Sequence, residues 1–206
     1  MAHITKKRGG FTIIETMVSV SLFIIITVIG IGTLLNANLL YNKSQNMRDI
    51  VDNLNFVMEE MSRNIRTGYK YHCLDAAVLS VPASSNSLSV PEDCTAGAGG
   101  WTIAFEDAHG EPNPSVENFN NQWVYSISGG QILKSEDSGV NFTQLTSEEV
   151  IVNPDLSGFV VTGAEPSPGN KEQPLVTIRL VGTVNYRDVV SPFSIQTTVS
   201  QRLLDI

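Results

Sequence analysis

One carboxylate stands where the sequence around it offers no polar company. Glu15 is the sole charged residue between Arg8 and Lys43, inside the run "FTIIETMVSVSLFIIITVIGIGTLLNANLLYN". On insertion scales a carboxylate in a membrane helix costs roughly 2.5–3.5 kcal/mol near the bilayer centre and less near an interface. Glu15 therefore calls for a cation, or for a place at the cytoplasmic interface where it can snorkel. Other reactive types are sparse. Cys73 and Cys94 can close a disulfide of about 3 kcal/mol in an oxidising compartment, or stay as two thiols in a reducing one. His3, His72 and His109 are isolated, which favours surface or core positions over metal ligation. "EDSG" (136–139) and "EEV" (148–150) place acids in or near loops without the spacing of a calcium-binding loop. Solvated surface charge is their simpler reading. No phosphate-binding loop, dinucleotide fingerprint, HExxH or Gly-x-Ser-x-Gly is present, so neither an enzyme nor a cofactor is expected.

The elements that must position these groups begin with a basic leader, Lys6-Lys7-Arg8, followed by Gly9-Gly10-Phe11. From Thr16 to Leu35 the chain is mostly Val, Ile, Leu, Met and Phe, about the 20 residues a spanning helix needs. The basic leader fits the positive-inside rule, with the N-terminus cytoplasmic and everything after about Leu40 outside. Without residues 1–10 and their three cations the formal net charge moves from −8 to −11. An acidic body with no basic cluster argues against nucleic acid as a partner.

The apolar run does not end at a turn. Leu40, Met47, Val51, Leu54, Met58, Met61 and Ile65 recur at spacings that mark one helix face. Polar residues fill the other face. No proline interrupts Phe11 to Thr67, so one helix of about 57 residues and about 85 Å is expected. Gly68 reads as its C-terminal stop, in the left-handed position that glycine tolerates. Gly30 and Gly32 each cost about 1 kcal/mol relative to alanine in a helix. Either they allow close helix packing in the membrane or they mark a weak point where the helix bends.

Residues 69–100 read as a Ser/Ala/Gly/Pro-rich connection carrying both cysteines. "WTIAFE" then alternates like a strand, and "QWVYSISGGQILKS" is a hairpin around Gly129-Gly130. "NFTQLT", "EVIV", "GFVVTG", "LVTIRLVGTV" and "PFSIQTTVSQRLL" follow. In the last, Phe193, Ile195, Thr197 and Val199 share one face. The expected fold class is α+β: a long N-terminal helix, membrane-spanning in its first half, whose second half lies across an antiparallel β-sheet.

Three readings compete for the N-terminus. A cleaved secretory signal has an apolar core of about 7–15 residues and a small-residue cleavage site, which "NANLL" does not supply. A plain signal anchor explains the orientation but neither Gly-Gly-Phe nor Glu15. The third is a resemblance. A short basic leader, then Gly10, the aromatic Phe11, three residues and Glu15, all ahead of an apolar helix, resembles the class III signal of type IV prepilins. The resemblance is specific over residues 6–40 and architectural beyond them.

That resemblance implies residues 1–10 as leader, 11–40 as the transmembrane and assembly half of the helix, 41–68 as its amphipathic half, and 69–206 as an extracytoplasmic β-rich domain. It implies that a prepilin peptidase cuts between Gly10 and Phe11 and methylates the Phe11 amine. Glu15 of one subunit would neutralise the Phe11 amine of another during assembly. Partners would be the peptidase, other pilins or pseudopilins, an inner-membrane assembly platform and, before assembly, membrane lipid. Many major pilins carry a helix-breaking proline near where this chain has Gly32. "FVMEEMSRNIRTG" and "VYSISGGQILKS" resemble the minor pseudopilins of the J-type group, and the cysteines sit in the connection after the helix, whereas many major pilins have theirs near the C-terminus. The expected function is a minor pilin or pseudopilin of a type IV pilus or a type II secretion pseudopilus. A pilin-anchored adhesin or DNA-uptake module and a signal-anchored exported protein are the alternatives.

Overall fold

A computed structural model of the chain describes residues 10–74, 91–94, 100–107, 122–165, 172–186 and 189–202. The basic leader, most of the 69–100 connection, the "EPNPS" breaker and the loop after Ala164 and Glu165 lie outside the described residues. The chain divides into two compact units, Met1–Asn46 and Met47–Ile206. One helix, α1 (Ile13–Thr67), supplies nearly all the described part of the first unit and the opening of the second.

Among the described residues nine strands follow in the second unit: β1 (Tyr69–Leu74), β2 (Thr102–Glu106), β3 (Gln122–Ser128), β4 (Gln131–Ser135), β5 (Thr143–Gln144), β6 (Val150–Val152), β7 (Gly158–Thr162), β8 (Leu175–Tyr186) and β9 (Val189–Ser200). They form two antiparallel sheets where the sequence suggested one. The first has the order β1-β2-β3-β4-β5. In the second, β8 pairs with β9 along its whole length, while its other edge takes β7 on the first half and β6 on the second. Among the described residues, backbone hydrogen bonds join the sheets directly at two places. Gly100 and Phe159 exchange backbone hydrogen bonds of 2.7 and 2.8 Å, and the Val152 N–H donates to the Gly130 carbonyl at 2.8 Å.

Both sheets and the C-terminal part of α1 share one core. Ile50, Leu54, Val57, Met58, Met61 and Ile65 from the helix bury against Phe105, Tyr125, Ile127, Ile132, Phe159, Ile178 and Leu180. Of the expected stripe, Leu54, Met58, Met61 and Ile65 are buried and Met47 packs against the core. Leu40 and Val51 are exposed, while Ile50 and Val57, the neighbours of Val51 and Met58 in sequence, are buried as well.

The helix stop also has another cause. Gly68 is not left-handed; its N–H caps the Asn64 and Ile65 carbonyls at 3.0 and 3.2 Å. A Cβ there would run into the Phe105 ring, with the Glu106 carbonyl 3.2 Å away. Glycine is required by close approach. The positive φ falls on Lys70 (54°), beside an irregularity in the β1–β2 register. β1 itself is a correction: the connection opens with a strand, and Cys73 sits on it opposite Ile103. The hairpin of β3 and β4 is as expected. Gly129 and Gly130 have φ of 59° and 79°, the paired positive values that a two-residue hairpin turn demands.

Candidate functional site

The candidate assembly segment is the described part of the first unit. Gly10 and Phe11 precede the helix and are exposed. Thr12 caps it: the Glu15 N–H donates to Thr12 Oγ1 at 3.3 Å. Thr12-x-x-Glu15 has the spacing of a capping box, in which a hydroxyl at the N-cap satisfies the third helical N–H. The spacing of this cap is visible in the sequence itself. Glu15 lies in the first turn, where the positive end of the helix dipole favours a negative side chain.

Around and beyond Glu15, as far as Leu35, the helix carries apolar side chains on every face. Phe11, Ile13, Met17, Phe23, Ile26, Leu34 and Leu39 are all more than half exposed, and the helix is long and apolar enough to cross a membrane. Its hydroxyls need no outside partner. Thr16 donates to the Ile13 carbonyl, and Ser19, Ser21, Thr27 and Thr33 donate to carbonyls four residues back, at 2.7 to 2.9 Å. Such bonds let hydroxyls enter hydrocarbon without an unsatisfied donor. Glu15 is the one charged group between Phe11 and Asn42. The helix runs unbroken through Gly30 and Gly32, and a Cβ at either would meet nothing within 4 Å. Nothing in the chain's own packing requires glycine there.

In the second unit Cys73 and Cys94 form a disulfide with a Cα–Cα distance of 5.0 Å. Residues 91–94 lie between the sheets. The Cys73 N–H donates to the Glu92 carbonyl at 3.1 Å on one side, and the Cys94 N–H to the Val161 carbonyl at 3.2 Å on the other. Asp93 accepts the N–H groups of Gly163 and Ala164 at 3.0 and 2.7 Å. The bridge thus fastens a segment that joins β1 to β7. His72 is buried, with Nε2 3.7 Å from a Glu92 carboxylate oxygen, as a core histidine. His3 and His109 lie outside the described residues.

Two polar clusters escaped the sequence reading. Lys134 on β4 reaches Glu60 on α1 at 2.7 Å and Glu136 at 2.8 Å, and its ammonium lies 4.2 Å from the Trp123 ring centroid. Burial opposes the charge, but hydrogen bonds to Glu136 and Glu60 outweigh it and hold the ammonium above the usual lysine value. At the helix end, the buried Tyr71 hydroxyl lies 2.6 and 2.7 Å from the Ile65 and Gly68 carbonyls. The Arg202 N–H donates to the Arg66 carbonyl at 2.8 Å, so the Asn64, Ile65 and Arg66 carbonyls of the last turn are satisfied. Desolvation pushes the Tyr71 phenol well above its ordinary range.

The "EDSG" acids act locally. Asp137 accepts from Ser135 Oγ at 2.6 Å, from the Asn141 N–H at 2.8 Å and from Asn141 Nδ2 at 2.6 Å. The Ser135 and Asn141 bonds pull its pKa down to about 2. Among the described residues no group of three or more His, Cys, Asp or Glu is placed to hold a metal. Comparisons with family models, with curated proteins and with solved structures returned no match.

Proposed function

We propose that this chain is a structural subunit, a minor pilin or pseudopilin with a type IV pilin-like fold, which joins a type IV pilus or a type II secretion pseudopilus through its N-terminal helix. One observation carries the reading. The first part of α1 exposes its apolar side chains on every face, and its single charge, Glu15, lies on the first turn. Such a helix needs lipid first and other helices afterwards.

In this reading a prepilin peptidase cuts between Gly10 and Phe11, which leaves the Thr12 cap intact, and methylates the new amine. The apolar helix then anchors the subunit, N-terminus in the cytoplasm and β domain periplasmic or extracellular. The Cys73–Cys94 disulfide suits an oxidising compartment. On extraction into the filament, Glu15 pairs with the Phe11 amine of a neighbouring subunit, which offsets the cost of carrying a carboxylate into apolar surroundings. Gly30 and Gly32 are the positions where the helix could loosen in the filament.

Glu15→Val tests the pairing in cells that hold the peptidase and assembly machinery. The variant should insert and be cleaved, yet be missing from the sheared filament fraction. Normal incorporation would remove Glu15 from the mechanism.

A further inference from the structure

The second unit carries opposite charge at the two ends of one strand. At the start of β8, Leu175 pairs with Ser200 and the Gln201 N–H donates to the Pro174 carbonyl at 3.0 Å, which places Arg202 at that end. Arg202 shares an open cleft of about 370 Å³ with Glu59, Ser62, Arg63, Arg66 and Thr67. The three arginines are exposed, and their guanidinium groups form no ion pair with any described residue. They are three of the ten Lys and Arg in residues 11–206, and with Glu59 they give the cleft a formal charge of +2. At the far end of β8, Val150 pairs with Val184, and the Asn185 N–H donates to the Glu149 carbonyl at 2.8 Å. Glu148 and Glu149 are exposed there and likewise unpaired. Arg187 and Asp188, opposite in sign, lie outside the described residues. The ten residue steps from Leu175 to Asn185 span about 34 Å.

We infer that these ends dock head to tail, the arginine cleft of one copy receiving the Glu148–Glu149 turn of a second copy. This rests on the filament reading. There, apolar helices bring together bodies of net charge −11, whose repulsion opposes close approach. A cationic cleft at one end and a carboxylate pair at the other remove that conflict at the contact. A contact between two different patches is heterologous, and where its rotation does not close into a ring it builds an open filament. Charge complementarity of this kind also fixes register and suppresses wrong partners.

The test uses full-length chains, donor- or acceptor-labelled, in phosphatidylcholine vesicles, with association read by energy transfer. R63E/R66E/R202E and E148R/E149R, each alone, should weaken self-association by about tenfold or more, since like charges then face each other. Mixed together, the two variants should recover it. E148R/E149R lies on an exposed turn, so it reports even where the triple variant folds poorly. Native-level transfer in both variants, or loss without recovery on mixing, would overturn the docking while leaving the filament reading in place. Native chains that do not associate would overturn the docking between copies and leave the filament reading to the Glu15→Val test. A DNA duplex that binds the native cleft while the swaps leave self-association unchanged would reassign the arginines to a polyanion.

Discussion

Replacing Lys134 by Met should cost far more than removal of a surface ion pair. Glu60 and Lys134 sit 74 residues apart in sequence and join the helix to β4, with side chains only 15% and 13% exposed. Breaking a fully buried pair typically costs about 3–5 kcal/mol, because the partner is left charged and dry. Glu136 is 62% exposed and admits some water, so about 2–4 kcal/mol is expected here. Glu60→Met alone should fall in the same range, for the same reason. Lys134→Met with Glu60→Met together should cost less than either, since both charges then leave the interior. The cycle is read by urea unfolding of the full chain in detergent, followed by the fluorescence of Trp123, which the ammonium overlies. A coupling of about 1.5 kcal/mol or more fits this geometry, whereas a value under about 0.5 kcal/mol would class the pair as solvent-exposed and refute it. The pH dependence gives a second check. A lysine raised above its ordinary 10.5 contributes stability that is fully present below that value and is lost as pH rises through the folded one. Native protein should weaken in that alkaline window relative to the Lys134→Met variant.

Gly68→Ala should destabilise by about 1–3 kcal/mol, because the new methyl meets the Phe105 ring; an unchanged urea midpoint would refute the close approach. Cys73→Ser with Cys94→Ser should cost about 3 kcal/mol for a 21-residue separation, measured by the same unfolding. Asp137, lowered from 3.8 to about 2, adds stability that is present above its ordinary value and lost as pH falls through the folded one. Its carboxyl signal in a magnetic-resonance titration should move near pH 2, and movement near 4 would show that the Ser135 and Asn141 bonds do not hold.

The features that local pattern encodes were legible. The long helix, the Gly129-Gly130 hairpin and the alternation of β9, with Phe193, Ile195, Thr197 and Val199 on its more buried face, follow from periods of 3.6 and 2. β1 was not, because "YKYHCL" lacks alternation and bends at Lys70. The split into two sheets was not either, since strand periodicity names no partner. Nor could the sequence show that Gly68 answers to Phe105, or that Lys134 answers to Glu60, because both contacts form only when distant segments pack. In the apolar N-terminal segment Gly10, Phe11 and Glu15 stood out by type and spacing. The internal bonds of Ser19, Ser21, Thr27 and Thr33 were readable only as far as their helical register.

Entry into a filament as a processed subunit leaves its mark on the N-terminus. The N-terminal mass should be measured on protein extracted from membranes of cells that make a prepilin peptidase. A mature chain beginning at N-methylated Phe11 is expected. An intact Met1 start, or a cut beyond Leu35, would contradict it and leave a plain anchor or a secreted domain.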